Sequence, residues 1–108
     1  GNLGSYFGYY AGNTVTGTGN SFVGAYSGQV TTSGTYNTGA GYKTLYNNTT
    51  SQRNAAFGCW AMYNNTTGGY NTATGPLSLH ANTTGRRNTA SGNIALATNQ
   101  TGNDNTYN

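Results

Sequence analysis

Cys59, His80 and Asp104 are the only cysteine, histidine and acid in the chain, so covalent or metal chemistry would have to be built from these three. A thiol beside an imidazole makes a nucleophile with its base, provided the fold brings them within hydrogen-bond reach. One His, one Cys and one Asp make no ligand cluster, and a single carboxylate rules out paired-acid catalysis. Gly41, Tyr42, Lys43 and Thr44 come near a phosphate loop but lack the Gly-Lys adjacency and a following helix. These residues predict no enzyme, no metal and no cofactor. A lone cysteine also excludes an intrachain disulfide.

The residues that do recur are asparagine, threonine and glycine. Asparagine stands at 20, 37, 54, 71, 88 and 105, a spacing of 17, and Gly24, Gly41, Gly58, Gly75 and Gly92 follow four residues behind. A fixed short period means one structural unit per repeat, stacked on the next. With that asparagine as position one, residues 37–53, 54–70, 71–87 and 88–104 are clear copies of N-T-A-x-G-x-x-A-L-x-x-N-T-T-G-x-x. Residues 20–36 are a divergent copy, 4–19 a copy one residue shorter, and 105–108 an incomplete one. The whole of 1–108 therefore reads as one repeat domain, divergent and aromatic over 1–36 and regular over 37–104.

Seventeen residues are too few for a helical hairpin, and Gly, Asn and Thr at these frequencies disfavour helix. The expected fold is all-β: a parallel β-solenoid or β-roll of about six 17-residue coils. Positions seven and nine carry large side chains around a small position eight, as in Trp60-Ala61-Met62 and Leu77-Ser78-Leu79. Read as an extended strand, seven and nine share one face. That reading predicts a buried column of Leu45, Met62, Leu79 and Leu96, with Trp60, Leu77 and Ile94 beside it and Lys43 snorkelling outward as the exception. Position three (Phe22, Ala56, Ala73, Ala90) supplies the opposite wall. Tyr10/Gly12 and Tyr26/Gly28 replace the aliphatic pair in the first two copies, so aromatic rings are expected to compensate for glycine there. Asparagines at positions one and twelve are candidate side-chain ladders at the coil spacing of about 4.8 Å.

Only 33% of residues are apolar and 5% charged, which leaves no large globular core and too little charge for ordinary disorder. The net charge of +3 reflects missing acids rather than a dense basic cluster, so nucleic acid is not an expected partner. No apolar run reaches transmembrane length and no basic-then-apolar leader opens the chain, consistent with a removed leader or an internal piece of something longer.

Two surface rows have chemical meaning. Asn48, Asn65, Asn82 and Asn99 each begin an N-x-T sequon, with overlapping ones at Asn47 and Asn64, so glycans would line one edge. Position seventeen runs Tyr36, Arg53, Tyr70, Arg87, an alternation of ring and guanidinium suited to cation–π stacking or to sugar and protein contacts.

The runs Asn71-Thr72-Ala73-Thr74-Gly75 through Leu79, Asn82-Thr83-Thr84-Gly85 and Asn88-Thr89-Ala90-Ser91-Gly92 through Leu96 resemble the N-T-A-x-G-x-x-A-L repeats of phage tail-fibre and bacterial surface-fibre proteins. They are more distantly similar to the shorter head repeats of trimeric autotransporter adhesins, which form parallel β-rolls. The resemblance implies an extracellular, cell-surface or virion fibre that partners itself. Uncapped coils leave strand edges that template further pairing. A neighbour's Gly1 would complete the rung begun by Asn105, Thr106, Tyr107 and Asn108. The alternatives are a receptor- or glycan-binding adhesin, marked by an aromatic groove around Tyr36 and Tyr70, and an ice-binding solenoid with a flat row of Thr50, Thr67, Thr84 and Thr101. No membrane partner is expected.

Overall fold

The computed structural model describes residues 3–108, and it is a β-solenoid of about six turns without a helix among them. Each coil contributes one short strand from repeat positions two to four: β1 (Ser5–Phe7), β2 (Ser21–Val23), β3 (Thr38–Ala40), β4 (Ala55–Phe57), β5 (Thr72–Thr74), β6 (Thr89–Ser91) and β7 (Thr106–Tyr107). The seven strands form one parallel sheet in chain order. From β2 onward each step of the register is one 17-residue repeat, as in Ala56↔Ala73 and Ala73↔Ala90. Every strand therefore sets a residue beside its own copy, in a rod measuring 36 × 20 × 15 Å.

The first coil steps by 16, with Ser5 opposite Ser21. Thr16 N still bonds Thr32 O, whereas Tyr36 N bonds Thr18 O, so the missing residue falls at position fourteen. Its later counterparts Thr50, Thr67, Thr84 and Thr101 are all exposed, and the omission removes nothing from the core.

Beyond the strand the backbone departs from the extended reading. Positions seven and nine both lie in the left-handed region: Lys43 and Leu45 at φ 57° and 51°, Trp60 and Met62 at 65° and 51°, Leu77 and Leu79 at 61° and 48°. The segment is a run of overlapping turns, with Ala61 N, Tyr63 N and Asn65 N bonding Gly58 O, Trp60 O and Met62 O. Left-handed residues cost roughly 1–2 kcal/mol each. Here their N–H groups are used for axial bonds, alternately backward and forward: Trp60 N to Tyr42 O, then Met62 N to Ser78 O.

The inside–outside assignment shifts accordingly. Positions eight and nine are buried together, and position seven is not. Leu45, Met62 and Leu79 are fully buried as the spacing predicts, with Ala61, Thr44 and Ser78 beside them, and Leu96 packs against the same cluster. Trp60 and Leu77 are only half-buried, and Ile94 is 54% exposed. Lys43 is no exception to its column, because the whole column sits at the surface. Period-two reasoning fails once every other residue is left-handed.

Position three faces position nine across a thin core, and their volumes trade. Ala56 stands with Met62, Ala73 with Leu79 and Ala90 with Leu96, all in one cluster. In the first two coils the ring at position three lies over the glycine at position nine: Tyr6 at Gly12 and Phe22 at Gly28. The rings that compensate for glycine are therefore Tyr6 and Phe22, stacked with centroids 6.0 Å apart, rather than Tyr10 and Tyr26. The Phe22 ring also overhangs Gly39, where a Cβ would lie 3.2 Å from it. Position five needs glycine for another reason. At φ between 121° and 131°, a Cβ on Gly24, Gly41, Gly58 or Gly75 would sit 2.6–2.9 Å from the next coil's glycine backbone.

The exchange of volume gives a coupled test. Gly28→Leu should cost about 1–3 kcal/mol through its clash with Phe22. Phe22→Ala alone should cost about 3–5 kcal/mol through the cavity it leaves. The double variant rebuilds the packing of the regular coils and should recover most of both losses. Urea denaturation of the three variants checks this, and simple additivity of the two losses contradicts the proposed packing.

Candidate functional site

Two asparagine columns run through the core, at position one from Asn20 to Asn105 and at position twelve from Asn48 to Asn99. At position one, each Oδ1 accepts the main-chain N–H of the next asparagine: Asn37 N to Asn20 Oδ1 at 2.9 Å, and Asn88 N to Asn71 Oδ1 at 2.9 Å. A backbone N–H can only donate, so the carboxamide oxygen must face it and Nδ2 must point the other way. Nδ2 donates within its own coil to the position-fifteen carbonyl, Asn20 to Gly34 at 2.8 Å and Asn71 to Gly85 at 2.9 Å. One side chain both joins two coils and closes its own. At position twelve, Asn82 Nδ2 donates to Asn65 Oδ1 at 2.8 Å and Asn99 Nδ2 to Asn82 Oδ1 at 2.9 Å.

That second column contains the sequons. Asn48, Asn65 and Asn82 are completely buried, and Asn99, at its end, is partly so. A glycan is attached through Nδ2, the atom that Asn65, Asn82 and Asn99 use for the ladder. The predicted row of glycans does not fit the folded coil. The same N-x-T letters serve an interior ladder, with the position-thirteen hydroxyls of Thr49, Thr66 and Thr83 bonded to the next coil's carbonyls at 3.3 Å.

The position-seventeen stripe forms in part. The Arg53 guanidinium lies 5.1 Å from the Tyr36 ring centre and 5.8 Å from that of Tyr70, and donates to the Tyr70 hydroxyl at 3.3 Å. The next cation over Tyr70 is Arg86, at 5.4 Å, and not Arg87. Arg87 turns to Asp104 instead, through Nε to Oδ1 at 2.7 Å and Nη2 to Oδ2 at 3.2 Å. A carboxylate in the following coil outcompetes a ring in the preceding one. With guanidinium on both sides of Tyr70, this stripe is not the open aromatic groove expected for sugar.

A larger aromatic surface lies on the turn segment, at positions six, seven and ten. Lys43 Nζ sits among four rings there, 4.8 Å from Trp60 and 5.3, 5.6 and 5.9 Å from Tyr42, Tyr26 and Tyr46. Tyr46, Tyr63 and His80, the position-ten column, stack in near-parallel planes with centroids 5.1 and 5.6 Å apart. His80 is thus held by rings, and Cys59 is exposed without a hydrogen bond to it. The thiol and imidazole are not assembled as a couple. Among the described residues no three metal-ligating side chains come together, and no helix is long and apolar enough to cross a membrane.

Next to the stacked column runs a groove that sequence reasoning missed, because its walls are unremarkable uncharged residues. Asn47, Asn64 and Ala81 form one wall, and Thr49, Thr66 and Thr83 the other. Gln100 closes one end of the space, which is about 480 Å³. The Thr50, Thr67, Thr84 and Thr101 row is exposed beside it, one residue wide. At the C-terminal end, Asn105 continues the position-one ladder onto Asn88 Oδ1 at 3.0 Å, and Thr106 and Tyr107 pair with β6. Gly1 lies outside the described residues. No protein-family model, curated protein or solved structure matches the chain.

Two predictions follow from these contacts. The position-twelve ladder ends at coil 31/48, where Thr31 Oγ1 and Asn48 Nδ2 are both buried without partners. Thr31→Asn supplies an acceptor to Asn48 and should raise stability by about 1 kcal/mol, read as a higher Tm; an unchanged or lower Tm contradicts the ladder's role. Separately, hydrogen bonds from Arg87 hold the Asp104 carboxyl below its usual range; partial desolvation opposes them and the guanidinium charge adds to them. A depressed folded value contributes stability above the ordinary carboxylate range and loses it as pH falls through that value. The small Tm advantage over Asp104→Asn should be present at neutral pH and close on acidification below about pH 4. An advantage that grows with acid has the wrong sign.

Proposed function

We propose that the chain is a non-enzymatic structural subunit or shaft segment of an extracellular, cell-surface or virion fibre, and that its partner is another coil stack of the same kind. The observation that carries this reading is the axial self-pairing of the coils: from β2 onward every strand lies beside its own copy one repeat away, and the position-one asparagines join each coil to the next. A coil of this register is complementary to any other coil of the same register.

The repeats' resemblance to phage tail-fibre and bacterial surface-fibre sequences supports the same reading, as does a surface with few charges and neither a basic cluster for nucleic acid nor a long apolar helix. A row of hydroxyls one residue wide is a poor match for ice, which needs a two-dimensional array. The outward strand face interleaves its threonines with Phe7, Val23 and Phe57, which are exposed.

End-to-end growth is the testable consequence. The purified chain should form filaments or higher oligomers in a concentration-dependent way, seen by sedimentation velocity and negative-stain microscopy. A chain that stays monomeric at every concentration overturns this reading.

A further inference from the structure

The groove between positions eleven and thirteen has a ligand chemistry of its own, independent of end-to-end assembly. None of its lining residues is charged. An anion would find no cation there, and a cation no acid. The groups offered are neutral and of both hydrogen-bonding kinds. Asn64 donates Nδ2 to the His80 carbonyl at 3.2 Å, which holds its carboxamide and leaves Oδ1 without a partner among the described residues. Among those residues the Asn47 and Gln100 side chains make no hydrogen bond and keep donor and acceptor for a ligand. Thr49, Thr66 and Thr83 spend their protons on the next coil's carbonyls, so each hydroxyl oxygen is left as an acceptor.

These groups also repeat. Successive coils advance by about 4.8 Å, so a ligand lying along the axis meets a similar set of acceptors at every step. Neutral groups in a rigid row suit a polyhydroxylated polymer that can offer hydroxyls at each step. An extended chain of equatorially linked hexoses is such a polymer, each ring advancing by slightly more than one coil spacing. The Tyr46, Tyr63 and His80 stack stiffens the column that precedes one wall, with interplanar angles of 9° at both contacts. The groove is therefore formed before the ligand arrives, which lowers the ordering cost of a weak, multi-contact complex. The Tyr36 and Tyr70 stripe lacks this freedom, because guanidinium groups occupy its rings.

We propose that the groove walled by Asn47, Asn64 and Ala81 on one side and Thr49, Thr66 and Thr83 on the other binds a linear, neutral polysaccharide of equatorially linked hexoses, parallel to the rod axis. The test uses the full chain, isotopically labelled, titrated with cellohexaose and with chitohexaose. Resonances of residues 47–49, 64–66, 81–83 and 100 should shift with at least one of them. Ala81→Tyr, which fills one wall, should weaken binding by about tenfold or more. Asn47→Ala, which removes a carboxamide with no internal bond, should weaken it several-fold, each with Tm unchanged. Thr72→Tyr on the exposed strand face should bind like the unmodified chain. The proposal is overturned if neither hexaose shifts the groove, if the shifts map to Tyr36, Arg53 and Tyr70, or if both groove variants bind undiminished. Assembly is read separately by sedimentation, so a chain that forms filaments but ignores both sugars refutes this inference and leaves the fibre reading standing.

Discussion

Everything in this fold depends on one constraint: each residue lies about one strand spacing, some 4.8 Å, from its own copy in the next coil. Any side chain that cannot tolerate itself as a neighbour is excluded. Like charges at such a distance repel by about 1 kcal/mol in bulk water and about 4 at the effective dielectric near a protein surface, which accounts for a chain with four cations and one acid. The cations it does carry are never stacked on one another. Lys43 is enclosed by rings, Arg53 lies between Tyr36 and Tyr70, and Arg87 meets Asp104. Asparagine solves the self-stacking problem, because a planar carboxamide presents a donor and an acceptor on opposite sides and can bond to its own copy.

The same constraint explains how so many left-handed side chains persist. Tyr, Lys, Trp, Leu and Ile all occupy position seven at positive φ, where glycine is the ordinary choice. Isolated, such a residue would relax. In a stack its N–H is already committed to the carbonyl of the coil behind, as Lys43 N is to Ala25 O and Leu77 N to Cys59 O. Relaxing one residue would break a bond in the axial ladder, and the ladder overrides local preference.

This is also where the sequence stops being legible. The period, the parallel coil, both asparagine columns and the buried Leu45, Met62 and Leu79 follow from repetition alone, because stacking places like on like. The orientation of position seven does not, since nothing in Lys43, Trp60, Leu77 or Ile94 announces a left-handed backbone, and alternation of large and small looks the same in a strand and in a run of turns. The sequons of Asn48, Asn65 and Asn82 were ambiguous in principle, as one tripeptide serves a glycan acceptor and an interior ladder; only burial separates them. The choice between Arg86 and Arg87 as the cation over Tyr70 turned on Asp104, seventeen residues away. The groove could not be read at all, for its walls come from two columns that are adjacent only when the turn geometry is known.

Because the fold claims positions one, three, five, eight, nine and twelve, a function can be written only in the columns that remain. Those columns are where this chain varies most. Nine of its ten tyrosines precede residue 71, and beyond the His80 ring the turn surface passes from Tyr42, Tyr46, Trp60 and Tyr63 to small or aliphatic residues at Pro76, Leu77, Ile94 and Ala97. The core beneath does not change over the same span, with Leu45, Met62 and Leu79 equally buried. The rod thus carries a ring-rich surface over its earlier coils and a small or aliphatic one over its later coils, on a scaffold whose interior is indifferent to what the surface carries.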